Sequence, residues 1–585
     1  MASPNEKNAE MLALELKNVL GPHFLGYRLD HDRKVCLPYE AAAGRAWIDV
    51  DQTGLLEGIK YLMTKYDMGF LTFITGVDNH KELEVLYHIS EGDFPKLYCT
   101  VNFRLRVPYS EARVPTITHL IPGALWYERE LQSFFGVKVE GIPDDRPIYL
   151  PEDWPGEVYP LRKEYTNEDL TRLYQEKRSS EEVIGKKVYN PPGRQEGGQK
   201  GRFILPLGPQ HIILKEPVHF QFVIDGEEVV DVDFILGYNF RGMEKAIESR
   251  PYPKAHYLIE RICAICDHSE ASTFAYCLEE RMGLEIPPRA HYLRALMMEL
   301  ERLQSHYLWF GIIAQDMGFD TVFHYTWRDR ERINDIIEAM CGNRMRKDYN
   351  TEGGVRRDIN TDIAHKILEA MDYLDEQTKY YESIFTREPT AIARLKGVGI
   401  IPKEDARKLC IVGMMARGSG IRFDTRKSDP ASVYPLLDWD MAVFDTCDNL
   451  ARTLVRIYEC YESTKIIRQI LANLPAGPVR VLPPDTIPEG ESLMRWEAPR
   501  GECCHYMRGN GTEVLERNRL RGPTGANINA FKTALVGDSV ADIPITIRTF
   551  DHCYGCVERV TLVSAKTGRR HIYTLDELYQ ERVRL

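Results

Sequence analysis

The sequence predicts an α+β multidomain protein, with an N-terminal α/β domain followed by a mainly helical domain that opens on a β-rich segment. Three observations carry this reading. Before residue 165, apolar residues alternate with period two over short stretches. From 166 to 201, charge runs and Gly- and Pro-rich steps interrupt every core-forming pattern. Beyond 201, three long stretches place apolar residues at helical spacing.

In chain order, Glu10 to Leu20 predicts a helix and the apolar run Phe70 to Ile74 a strand. Leu83, Val85, Tyr87 and Ile89 alternate, as do Cys99, Val101, Phe103, Leu105 and Val107, so both stretches predict half-buried strands. Trp126 to Phe135 reads as a helix closed by Gly136. Pro143 to Pro160 reads as an extended, irregular arm. The first domain therefore spans 1–165. Residues 166–201, with Asn190-Pro191-Pro192-Gly193 and Gly197-Gly198-Gln199-Lys200-Gly201, form an open linker.

The second domain, 202–559, opens on a hairpin. Val218, Phe220, Phe222 and Ile224 alternate up to Asp225-Gly226, and Val229 and Val230 return. Helical faces follow at Leu293 to Tyr307, at Ile363 to Leu374, and from Leu436 to about Leu471. Three such helices predict a bundle core.

The chain has 585 residues and a formal net charge of −12. With Lys and Arg spread out, that charge excludes nucleic acid as a partner. No stretch approaches the roughly 18 apolar residues of a membrane-spanning helix. Residues Met1 to Leu20 lack the basic start and apolar run of a secretory signal. The expectation is a cytoplasmic protein.

Two Cys-x-x-Cys pairs stand out from the 13 cysteines. They are Cys263-Ala264-Ile265-Cys266 and Cys553-Tyr554-Gly555-Cys556. Each step lets two sulfurs face one metal, and together they supply four soft thiolate donors. Spacing alone leaves three readings open: a structural zinc, a functional metal, or two unrelated buried pairs. Zinc ribbons usually separate their pairs by about 15 to 20 residues, whereas these bracket a large helical domain.

The surrounding residues resemble nickel–iron hydrogenase large subunits of the energy-converting, formate hydrogenlyase type. Arg261 precedes Cys263 and Asp551 precedes Cys553 as in the family's two signatures. Arg241-Gly242-Met243-Glu244, Glu497-Ala498-Pro499-Arg500-Gly501 and Gly208-Pro209-Gln210-His211 with Glu216-Pro217-Val218-His219 match further segments, in family order. Glu301 to His306 and Gly353 to Asp358 resemble the quinone-site subunit of respiratory complex I. Glu128-Arg129-Glu130, Leu150 to Trp154 and Pro160 to Tyr165 resemble the small companion subunit of its peripheral arm.

The resemblance implies that Cys263, Cys266, Cys553 and Cys556 bind nickel, with Cys266 and Cys556 bridging to an iron that carries carbon monoxide and cyanide. Cys553 would take the proton when hydrogen splits. Arg500 would overhang the open metal position and Asp551 would orient its neighbours. Glu216 would relay protons, with Glu244 a second acidic candidate; His211 and His219 rank above His268 and His306 as relay groups. The resemblance further implies an iron–sulfur small subunit, membrane-arm subunits, and a ferredoxin or formate dehydrogenase as electron source. The place implied is peripheral, on the inner face of the cell membrane. It also implies a maturation protease that removes residues 560–585 after Arg559. Ala264, Glu270 and His552 depart from the family pattern without removing a ligand. The alternatives are a nickel-free quinone-site subunit and a scaffold holding zinc in the same thiolates.

Overall fold

The computed structural model describes residues 3–31, 33–93, 95–150, 154–179, 202–211, 214, 216–238, 241–263, 265–553, 562–563 and 570–571. Cys556, Ala264, the Arg559 cleavage point and most of the 560–585 tail lie outside them, as does the linker from 180 to 201.

The chain starts with the helix Pro4–Leu20, longer than the sequence suggests. Ser3 and Glu6 bond each other's backbone N–H reciprocally and fix its start. The first sheet has five strands in the order Phe24–Asp30, Gly44–Val50, Cys99–Val107, Leu83–Ser90, Phe70–Asp78. The second and third of these run parallel and the other neighbours antiparallel.

The strand Leu83–Ser90 is buried along its whole length, not half-buried as its alternation predicts, and the apolar run at Phe70 belongs to a strand, Phe70–Asp78, that is equally buried. The second domain supplies the missing cover. Tyr506 lies 5.9 Å from the His88 ring. Arg517, Arg519 and Arg521 donate to the carbonyls of Gly76, Ile74 and Thr72, on the free edge of the sheet. Three guanidinium groups thus take the place of a sixth strand on that edge.

Within the predicted linker, Asn167–Ser179 is a helix. Thr166 and Asp169 cap it by exchanging side-chain bonds with each other's backbone N–H. The predicted hairpin is present as His219–Asp225 and Glu228–Ile235, turned at Gly226 with φ 64°.

The core of the second domain is four long helices packed on one another: Pro288–Asp316, Asp320–Cys341, Thr361–Arg387 and Asn449–Ala472. Asp320–Cys341 is absent from the sequence reading. The helix expected from Leu436 begins only at Asn449. Asp448 caps it by accepting from Ala451 N at 2.8 Å, and Cys447 is left-handed at φ 62°. Val443 and Phe444 belong to the preceding loop. A second sheet, Gly490–Ala498, Gly501–Gly509 and Arg517–Arg521, leans on this bundle and on the helix Asp267–Met282. Among the described residues, no helix is long and apolar enough to cross a membrane.

Candidate metal centre

Cys263 and Cys266 lie between the helices Tyr252–Ile259 and Asp267–Met282, with Cys266 at the N-cap of the second. Cationic side chains grip this loop by its carbonyls. Arg241 donates to the carbonyls of Arg261 (2.8 Å) and Ile262 (3.0 Å). Arg346 donates to those of Glu260 (2.8 Å) and Cys263 (2.6 Å). Glu301 accepts from the N–H groups of His268 (2.8 Å) and Ser269 (3.1 Å), which begin the helix and have no partner within it. The buried Lys347 ties Glu301 to Asp267 at 3.2 and 2.6 Å.

Cys553 arrives from the other end of the domain, after the helix Ile543–Thr549. Asp551 turns the chain with φ 49°, and Cys553 N donates to Thr524 Oγ1 at 2.9 Å. Upstream, Arg452 and Arg456 hold Thr549 through its hydroxyl (3.2 Å) and carbonyl (2.8 Å). The Sγ atoms of Cys263 and Cys553 then lie 3.3 Å apart.

Arg500 sits on a two-residue turn closed by the Ala498–Gly501 pair. Gly501 has φ 126°, and a Cβ there would stand 2.8 Å from Gly413 N, so no other residue fits. Arg500 Nη1 donates to Cys266 Sγ at 3.0 Å, and its Nε lies 3.0 Å from Asp551 Oδ2. Burial works against the charge, but Asp551 and then the cysteines outweigh it and hold Arg500 firmly cationic.

Among the expected proton-handling groups, Glu216 reaches the sulfurs, with Oε1 3.6 Å from Cys553 Sγ. Glu244 is committed elsewhere, to Arg517 (2.7 Å) and Arg519 (2.9 Å). Burial pushes its carboxyl up, but the two arginines outweigh this and hold it below the usual range. His219 bonds the Gly208 carbonyl and Gln221, each at 3.2 Å. His211 is exposed. His268 and His306 are core residues, bonded to the Arg294 carbonyl and to Glu459. Burial lowers the His268 pKa to about 3, which keeps that ring neutral.

The donor set suits a soft metal. A sulfur–sulfur separation of 3.3 Å is far beyond the roughly 2.05 Å of a disulfide. It falls in the range of about 3 to 4 Å for two thiolates each about 2.3 Å from one ion. The N–H groups of Ile265 and Cys266 point at Cys263 Sγ, at 3.4 and 3.2 Å. The bond to Cys263, and then burial, push the Cys266 thiol well above its usual range.

Sequence reasoning missed Arg346, Lys347 and Thr524, which carry no motif. It also missed the partners of Glu270, whose carboxylate accepts from Cys503 Sγ (3.2 Å) and bonds His505 Nε2 (2.9 Å). Cys503 belongs to the same buried cluster as Cys263, Cys266 and Cys553.

Three family descriptions match this chain. "Nickel-dependent hydrogenase" matches residues 241–382. The 49 Kd subunit of respiratory-chain NADH dehydrogenase matches 316–487 and 484–559, and its 30 Kd subunit matches 48–170. Formate hydrogenlyase subunit 5 of Escherichia coli is 32% identical over 96% of this chain and 97% of its own length. The membrane-bound hydrogenase subunit alpha of Pyrococcus furiosus is 39% identical over 64% of this chain and 91% of its own. Among solved structures, a chain of an archaeal membrane-bound sulfane sulfur reductase superposes with a TM-score of 0.59 at 30% identity. That match covers 61% of this chain and 98% of the other.

Proposed function

Because the chain belongs to the nickel-dependent hydrogenase large subunits related to respiratory complex I, and is therefore an oxidoreductase acting on hydrogen, we propose that Cys263, Cys266, Cys553 and Cys556 hold its nickel–iron centre. When bound, that centre, with carbon monoxide and cyanide on the iron, supplies the two-electron chemistry that interconverts hydrogen with two protons and two electrons. The observation that carries the assignment is the 3.3 Å approach of Cys263 Sγ and Cys553 Sγ beneath a fixed guanidinium.

The side chains divide the remaining work. Cys553 Sγ holds the proton, and Glu216 Oε1, 3.6 Å away, passes it on or returns it. Arg500 sets a permanent positive charge beside the buried sulfurs, where it stabilises developing negative charge. Asp551 fixes the guanidinium in place. Electrons leave to an iron–sulfur small subunit, in a complex peripheral to a membrane and served by ferredoxin or a formate dehydrogenase. Residues 1–165 form the peripheral-arm-like domain and 202–559 the catalytic one. A maturation protease removes 560–585 once the metal is in place.

A nickel-free reading draws support from the matches to complex I subunits and to a sulfane sulfur reductase. Infrared spectroscopy of the anaerobically purified complex, with its metal content, separates the two. Bands of metal-bound carbon monoxide and cyanide, with one nickel per chain, support the hydrogenase site. Zinc in the four thiolates, or no metal and no such bands, overturns it.

A further inference from the structure

Behind the sulfur cluster lies a second group of donor atoms that the hydrogenase site does not use. Cys503 and His505 are two residues apart on the strand Gly501–Gly509, so both project from the same face. That face packs on the helix Asp267–Met282, which brings in Glu270 from its first turn. One donor atom from each of the three residues lies within 4.8 Å of the other two. All three residues are buried: Cys503 and His505 are 0% exposed and Glu270 is 1% exposed.

The hydrogen bonds within the triad leave it incomplete. Glu270 Oε2 accepts from Cys503 and bonds His505, but the buried Oε1 has no hydrogen-bond partner among the described residues. A buried carboxylate oxygen without a partner forfeits its solvation without compensation. A divalent cation between the three side chains would engage it. One thiolate and one carboxylate would balance the charge of a divalent ion, with imidazole as a neutral third ligand and the second carboxylate oxygen in reach as a fourth. Sulfur, nitrogen and oxygen donors in a compact, buried set suit zinc better than magnesium or calcium, which take oxygen ligands.

We infer that Glu270, Cys503 and His505 form a separate zinc site beside the catalytic sulfurs. It shares no ligand with the nickel–iron centre, so each reading stands or falls on its own metal.

The test is zinc content and zinc X-ray absorption on the complete complex, purified anaerobically from cells grown with zinc. One zinc per chain is expected, with a single sulfur at about 2.3 Å and nitrogen or oxygen neighbours at about 2.0–2.2 Å. Cys503→Ser and Glu270→Gln should each lower zinc at least tenfold and leave nickel unchanged. A zinc-free complex, zinc surrounded by four sulfurs, or zinc undiminished in both variants overturns the inference. If neither variant assembles, the absorption spectrum of the unaltered complex decides alone.

Discussion

Arg500 Nη1 stands 3.0 Å from Cys266 Sγ, so a charge fixed on one turn of the second sheet meets a sulfur fixed at a helix N-terminus. Neither partner can move without loosening a larger element. Arg500→Lys keeps a positive charge but loses the fork that spans Cys266 and Asp551. Hydrogen turnover should fall about 10²-fold, the usual scale for removing one preorganised donor, with nickel content unchanged. Turnover within twofold of the unaltered enzyme would remove Arg500 from the chemistry.

The Glu216 carboxylate is within reach of Cys553 Sγ, at 3.6 Å. Glu216→Gln preserves its shape and removes its acid–base chemistry. Turnover should drop by about 10²–10⁴-fold, while the infrared bands of the centre stay in place. Glu216→Asp should recover part of the rate. Full activity in Glu216→Gln would send the proton path elsewhere.

Arg519 joins the two domains. It pairs with Glu130 at 2.8 Å and Glu244 at 2.9 Å, and donates to the Ile74 carbonyl. Arg519→Met leaves the buried Glu130 and the half-buried Glu244 facing each other without that cation. A loss of about 3–5 kcal/mol is expected, read in denaturant unfolding, with faster proteolysis between the domains. A change below about 0.5 kcal/mol would show that the edge contact carries no stability.

Glu128 makes the pH dependence explicit. Burial raises its pKa to about 7, against the lowering effect of bonds from Thr116 and Ile117 N. Its folded pKa therefore lies above its unfolded value. The stabilisation is fully present below the ordinary carboxyl range and is lost as pH rises from about 4.5 to about 7, then stays constant. The loss is at most about 3 kcal/mol. Glu128→Gln carries no charge to bury, so the stability difference between the two proteins should change across that window. A constant difference from pH 4.5 to 8 would contradict the assignment.

The sequence displayed the site's chemistry more clearly than its support. Cysteine pairs are legible because few residues offer soft donors, and Arg500 is legible through its turn, where Gly501 is required. Arg346 and Lys347 are not: they act on carbonyls and carboxylates far along the chain, and nothing local marks them. The second sheet was illegible for a related reason. Glu491, Arg495, Glu497, Arg517, Arg519 and Arg521 are all buried on its strands, each with an ionic partner, so polar residues occupy positions where alternation looks for apolar ones. The helix start at Asn449 was blurred because apolar spacing runs on through Val443 and Phe444, while Asp448 and the left-handed Cys447 set the boundary.

Nickel X-ray absorption on the intact complex tests the central claim most directly. Four sulfur neighbours at about 2.3 Å and a nearby iron are the expected result, with sulfur lost one at a time when Cys263, Cys266, Cys553 or Cys556 is changed to Ser. Nickel bound mainly by nitrogen and oxygen, or a complex without nickel in which these four cysteines hold another metal or none, would contradict it.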